Sequence, residues 1–187
     1  MALLLRRTLL TLALSGVLAA GWWFWSLTPA LTLIYAGTDT YGPVVSVVAR
    51  TRASLWQACP RQDFRPNTPL GALAASLDTS SKDEIDAIAS VGKSMIKAGC
   101  STSEYDEHGF APLHAAVLYG SPTAVKLLLE LGADVQQPIS PPPSVGGLAF
   151  AHRGMRPLEF AQALAKRPVD PPGNRQEVIA ALSHRQP

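Results

Sequence analysis

His108–Val135 reads HGFAPLHAAVLYGSPTAVKLLLELGADV, and the order of residue types in it dictates a short helix, a turn and a second helix. Pro112 suits the first turn of a helix, where its fixed φ is favourable and its missing N–H is not needed. Leu113, Ala115 and Ala116 follow, and the two alanines allow a neighbouring helix to approach closely. Gly120 suits a left-handed position that ends a helix, and Gly132 does the same after Val125, Leu127, Leu128 and Leu129 have supplied the apolar side of a second helix. A unit of this size leaves one apolar face uncovered, so it needs copies of itself to stack upon.

The surrounding sequence holds weaker copies. Upstream, Thr68-Pro69-Leu70 with Ala72, Ala74 and Ala75 repeats the first helix, and Met95, Ile96, Gly99 and Cys100 fall 33 residues before Leu128, Leu129, Gly132 and Ala133. Pro69 precedes Pro112 by 43 residues, however, so about ten extra residues lie near 78–90. They are expected to lengthen the second helix at its N-terminus, with Ser81 as the cap and Asp83 and Glu84 in the first turn. Downstream, Gly154, Pro157, Leu158 and Ala161 reproduce the spacing of Gly109, Pro112, Leu113 and Ala116, 45 residues later. An insertion therefore fills 138–153, and the last helix is expected at 175–185, where Val178, Ile179 and Leu182 keep helical spacing.

With these residues in view, Asp106–Gln137 resembles an ankyrin repeat. The matching positions are Asp106, Gly109, Pro112, Leu113, His114, Ala115, Gly120, Val125, Leu128, Leu129, Gly132, Ala133 and Asp134. Ala111 stands where the family has Thr, which removes a hydroxyl N-cap at a cost of about 1 kcal/mol. Arg156 and Glu159 replace the family's Thr and His in the last copy. The resemblance implies an all-α, short ankyrin-repeat solenoid of about three repeats, 66–101, 106–138 and 152–187. A capping helix over 43–59, with Val44, Val47, Val48, Leu55 and Ala58 on one stripe, would close its open end.

The N-terminus has another character. No Asp, Glu, Lys or Arg occurs from Thr8 to Thr38, and the run ends its first part in Trp22-Trp23-Phe24-Trp25. As a helix, Thr8–Trp25 would rise roughly 27 Å, close to a hydrocarbon core, and tryptophans favour the interface beyond it. A cleaved signal peptide fits the same Arg6-Arg7, apolar stretch and Ala19-Ala20-Gly21, but it would expose the aromatic cluster as a new N-terminus. The reading adopted is a cytoplasmic 1–7, a transmembrane signal-anchor over 8–34, a linker over 35–42 and a folded domain over 43–187. Because Arg6 and Arg7 flank the span on its N-terminal side, the domain is expected outside, on the periplasmic face of the inner (plasma) membrane. Cys59 and Cys100 could be bonded in such an oxidising compartment; they could equally be two small buried apolar side chains.

Chemistry and nucleic acid are both disfavoured. With Arg6 and Arg7 set aside, 14 of the 16 basic residues remain against 14 acidic ones, a balance without the clustered cations that phosphate binding needs. The four histidines, 108, 114, 152 and 184, show no metal-ligand spacing, no serine lies in G-x-S-x-G, and Gly146-Gly147 lacks the rest of a phosphate loop. No enzyme, metal, cofactor or small-molecule substrate is expected. His108 and His152 are read as solvated. The family resemblance makes His114 a structural residue that hydrogen-bonds between repeats. It also implies a protein partner bound through Tyr105, Glu107, His108 and Phe110 at the central turn tip and Leu118 and Tyr119 at the end of the first helix. Phe110 could instead pack its own turn. The insertion adds Leu148 and Phe150 as contacts, or as packing over the last repeat. An immunity-type inhibitor of a secreted toxic effector such as a lipase, a scaffold for an envelope enzyme, and a cytoplasm-facing anchor are the alternatives by family analogy.

Overall fold

A computed structural model describes residues 19, 21–36, 43–77, 82–166 and 172–184. Among these there is no strand. The helices are α1 (Pro29–Ala36), α2 (Pro43–Ser54), α3 (Pro69–Ser76), α4 (Lys82–Lys97), α5 (Pro112–Tyr119), α6 (Pro122–Glu130), α7 (Leu148–Ala151), α8 (Pro157–Ala165) and α9 (Pro172–Ser183), with one 3-10 turn at Arg61–Phe64. Proline is the first residue of α1, α2, α3, α5, α6, α8 and α9. Its ring fixes φ where the lost N–H has no helical partner, so the sequence punctuates the start of nearly every element. Gly120, at φ 68°, ends α5 and donates back to the Ala116 and Val117 carbonyls.

The helices pair as three hairpins, α3–α4, α5–α6 and α8–α9, and the first helices stack α3 on α5 on α8. The shared core runs through all three without a break. Leu70, Leu73, Ile88, Met95, Leu113, Leu128, Phe160 and Leu182 are its largest fully buried members. α4 has 16 residues against 9 in α6, so the extra residues do lengthen the second helix of the first hairpin; the expected cap, Ser81, lies outside the described residues. α9 starts at Pro172, three residues ahead of the expected Arg175. α1 and α2 pack on α4 and cover the first end of the stack, with Ala49 and Ala53 as the buried contacts.

At the N-terminal end the structure changes the expected boundaries. Residues 21–26 are helical, and the helix breaks at Leu27 and Thr28. The cause is local: the Thr28 hydroxyl accepts the Leu31 N–H at 3.3 Å and Pro29 opens a new helix. Residues 29–34, expected inside the apolar span 8–34, instead belong to α1, with Thr32 and Leu33 buried against the body. Residues 35–36, expected in the linker, complete that helix. No helix among the described residues is long and apolar enough to cross a membrane. Residues 1–18, 20 and 37–42, which include the cytoplasmic segment, the first part of the span and most of the linker, lie outside the described residues.

The capping helix, expected over 43–59, ends at Ser54, and a disulfide joins Cys59 beyond it to Cys100, at the end of the first hairpin, across 41 residues of sequence. Closing a loop of that length stabilises by about 3–4 kcal/mol on the chain-entropy argument.

Candidate functional site

The connections between hairpins form a continuous rim. At the central tip the Asp106 carboxylate accepts the N–H groups of His108 and Phe110, each at 2.9 Å, and the Asp106 N–H donates to the Phe110 carbonyl. Gly109 closes this turn at φ 90°, and a Cβ there would lie 2.4 Å from the Pro141 backbone. Only glycine suits the position on both counts. The tip is bonded to its neighbours on both sides. Glu107 N donates to the Pro66 carbonyl at 3.1 Å, and Ser140 N donates to the Gly109 carbonyl at 3.0 Å. The Tyr105 hydroxyl donates to the Pro138 carbonyl at 2.8 Å, and the Gln137 amide to the Ser103 carbonyl at 2.8 Å. The insertion is pinned at its base, where Ile139 N donates to the Met155 carbonyl and Gly154 N to the Ile139 carbonyl, both at 2.9 Å.

Between the first two tips lies a small cleft of about 120 Å³, lined by Arg61, Arg65, Asn67, Glu104, Tyr105 and Glu107 among others. The Arg61 Nε sits 2.9 Å from one Glu104 oxygen and 3.0 Å from the other. Arg65 pairs with Glu107 at 3.4 Å. Both arginines are more than half exposed, so these pairs contribute little to stability. Arg61 and Arg65 escaped the sequence reading, although Arg65 stands four residues before Pro69 as His108 stands four before Pro112. The register of the repeat was the signal that could have found it.

Residues 108–138 match the ankyrin repeat family model. No curated protein matches the chain. The matched segment is the central hairpin, and the ankyrin repeat is a non-catalytic fold for binding other proteins. The hairpins on either side carry the same Pro-Leu opening and the same stacking, which is consistent with an ankyrin-repeat solenoid. Among the described residues no group of three or more His, Cys, Asp or Glu is placed to hold a metal ion.

Within this stack the expected contact residues separate into two groups. Tyr105, Glu107, His108, Tyr119 and Phe150 are exposed on the surface. Phe110 is not available: it is 7% exposed, and its ring stacks on Phe160 with centroids 5.7 Å apart. The ring of the central tip is thus a packing element between repeats. Leu118 and Leu148 are half-buried and pack on the core. Phe150 stays 52% exposed, with the Arg153 guanidinium 5.1 Å from its ring centre, so the insertion divides between packing at Ala149 and exposure at Phe150.

Two histidines are buried. His152, read as solvated, is 8% exposed; its ring meets Phe160 edge-on at 5.2 Å and its Nδ1 lies 3.3 Å from the Met155 sulfur. His114 is fully buried, with both ring nitrogens outside strict hydrogen-bond alignment, and the polar group that acts on its ring is the Met155 backbone of the next hairpin. Its neighbours are the rings of Phe110 and Phe160, at 6.5 and 6.2 Å. Burial lowers its pKa to about 4, against a weaker opposing influence of the Met155 backbone. A charged imidazolium would be poorly solvated there, so the residue is neutral and serves as packing.

Arg175 is the structural residue that sequence reasoning missed. It is 6% exposed and reaches from α9 to the end of α5, donating to the Val117 carbonyl at 2.6 Å and to the Leu118 carbonyl at 3.3 Å. Those carbonyls belong to the last turn of α5, where the Val117 carbonyl also accepts the Gly120 N–H and the helix dipole favours a cation.

Proposed function

We propose that this chain is a membrane-tethered, single-pass protein of the inner (plasma) membrane whose ankyrin-type stack works on the extracytoplasmic side and binds a protein partner through its turn-tip rim. The observation that carries the reading is the row of tips from Pro66 through Glu107 and Gly109 to Ser140, locked to one another by backbone hydrogen bonds. A rim fixed in this way presents its side chains without a large ordering cost on binding. It offers cations and anions in weak surface pairs, Arg61 with Glu104 and Arg65 with Glu107, which can exchange for pairs across an interface and so select a partner of matching charge pattern. Tyr105, 38% exposed, adds an aromatic anchor beside them.

The Cys59–Cys100 bond supports the extracytoplasmic placement, because disulfides persist in oxidising compartments. The charge-free run from Thr8 to Thr38, led by Arg6 and Arg7, supports the tether and its direction. The test compares capture by the full chain and by an Arg61→Glu/Arg65→Glu double variant of equal melting temperature. A partner held by the first and lost by the second is expected; equal capture by both removes the rim from the interface. For topology, a periplasm-active reporter fused after Pro187 should be active, and an inactive fusion beside an active cytoplasmic one overturns the exported reading.

A further inference from the structure

Large apolar side chains that stand exposed are concentrated at one end of the molecule. Of the eight among the described residues, Trp22, Trp25, Leu31, Val47 and Leu55 all precede the first hairpin, and Trp22 and Trp25 are 75% and 68% exposed. Single exposed apolar residues are ordinary, but a concentration at the terminal cap marks a surface that something covers. On α2 Ala49 and Ala53 are buried on the inner side while Val47 and Thr51 are exposed, and Leu55, one residue past the helix, is exposed as well. The Thr51 hydroxyl donates to the Val47 carbonyl, within the helix. The helical turn at 21–26 is held to α2 by Arg52, whose guanidinium lies 5.1 Å from the Trp25 ring centre and 6.0 Å from that of Phe24.

The charge of this end leans basic. Up to Pro60 the sequence carries Arg6, Arg7, Arg50 and Arg52 against a single acid, Asp39, although the whole chain is nearly neutral at +2. Exposed indoles and aliphatic side chains beside an excess of guanidinium groups are the composition that settles at the headgroup boundary of an anionic bilayer. There the indole keeps its ring in the apolar zone, the arginine stem is shielded and its head meets lipid phosphate. The same end follows directly on the uncharged run that leads into the Trp cluster.

We infer that α1, α2 and the Trp22–Trp25 turn form a seat that rests on an anionic lipid surface and holds the first end of the stack against the headgroups, so that the domain is docked on the membrane as well as tethered to it. This inference rests on the membrane-tethered reading above.

The test uses the full chain in vesicles of phosphatidylglycerol. Both native cysteines are bonded, so Val47→Cys introduces the single free thiol for an environment-sensitive fluorophore, and Lys126→Cys, at an exposed position of α6, provides a second labelling site away from the cap. Brominated acyl chains are expected to quench the probe at 47 several-fold more than the probe at 126. If the chain floats with the vesicles while both probes are equally exposed to aqueous iodide, the tether stands and the seat is overturned. If the chain does not float, both fall. A probe at 47 already shielded from iodide before vesicles are added also overturns the seat, since a second copy or another segment then covers it.

Discussion

The central and last hairpins open with the same Pro-Leu pair and solve different packing problems. The central one is sandwiched: α5 meets α3 on one side and α8 on the other. It therefore has to be thin, and it carries Ala115 and Ala116 where α8 carries Phe160 and Ala161. The last hairpin has a first-helix neighbour on one side only, and it fills the interface with Phe160, whose ring reaches Phe110, His114 and His152. The N-termini differ as well. Ala111 gives α5 no side-chain cap, whereas in α8 the Glu159 carboxylate accepts the Arg156 N–H at 2.9 Å, and in the first hairpin the Thr68 hydroxyl accepts the Gly71 N–H at 3.0 Å. The unit closest to the family pattern is thus the one that depends most on its neighbours.

That dependence has measurable consequences. Leu128→Ala in the central hairpin is expected to cost ~2–5 kcal/mol and to lower the melting temperature of the whole domain. Leu182→Ala, equally buried at the end, should open α9 first and show as faster hydrogen exchange confined to the last hairpin. Equal, global effects from both would erase the distinction between middle and end. Acid should act through the central hairpin next. With the His114 pKa lowered to about 4 from 6.5, the unfolded chain binds the proton more readily between those values. The contribution of a neutral His114 is then complete above pH 6.5 and lost as the pH falls toward 4, by up to about 3 kcal/mol. Urea melts across that window should show the loss, and His114→Leu should remove that part of it.

Arg175→Met tests the reach of the last hairpin into the central one. It should cost about 1.5–3 kcal/mol, the range for buried bonds to a charged group, and raise exchange at the C-terminal end of α5. A melt unchanged from the parent would show that water satisfies the Val117 and Leu118 carbonyls equally well. The smallest effect is a gain. Ala111 has the extended backbone of Thr68, with φ −77° against −84°, so Ala111→Thr should supply the missing cap and add about 1 kcal/mol to stability.

What the sequence announced and what it concealed follow from the range of each signal. Pro112, Gly120, Gly132 and the leucine spacing act within a few residues, so the central hairpin could be read directly, and the register between copies revealed the longer α4 and the insertion. The burial of Phe110 and His152 could not be read in this way, because their common partner, Phe160, lies in another hairpin. Arg175 looked like an ordinary helix residue, since the carbonyls it meets are 57 and 58 positions away. At the N-terminus the apolar run masked a break that Thr28 and Pro29 impose. Of the rim, the family resemblance implied Tyr105, Glu107 and His108 at the central tip, whereas Arg61 and Arg65 sit beside a copy too divergent to draw attention to them.

The bond between Cys59 and Cys100 also settles how the protein bears mechanical load. Tension follows the shortest covalent path, so a pull on the N-terminal segment passes through the paired sulfurs into the chain just ahead of the central hairpin. The residues between the two cysteines, including α3 and α4, are bypassed, and only after reduction would they be the first part of the stack to be drawn out.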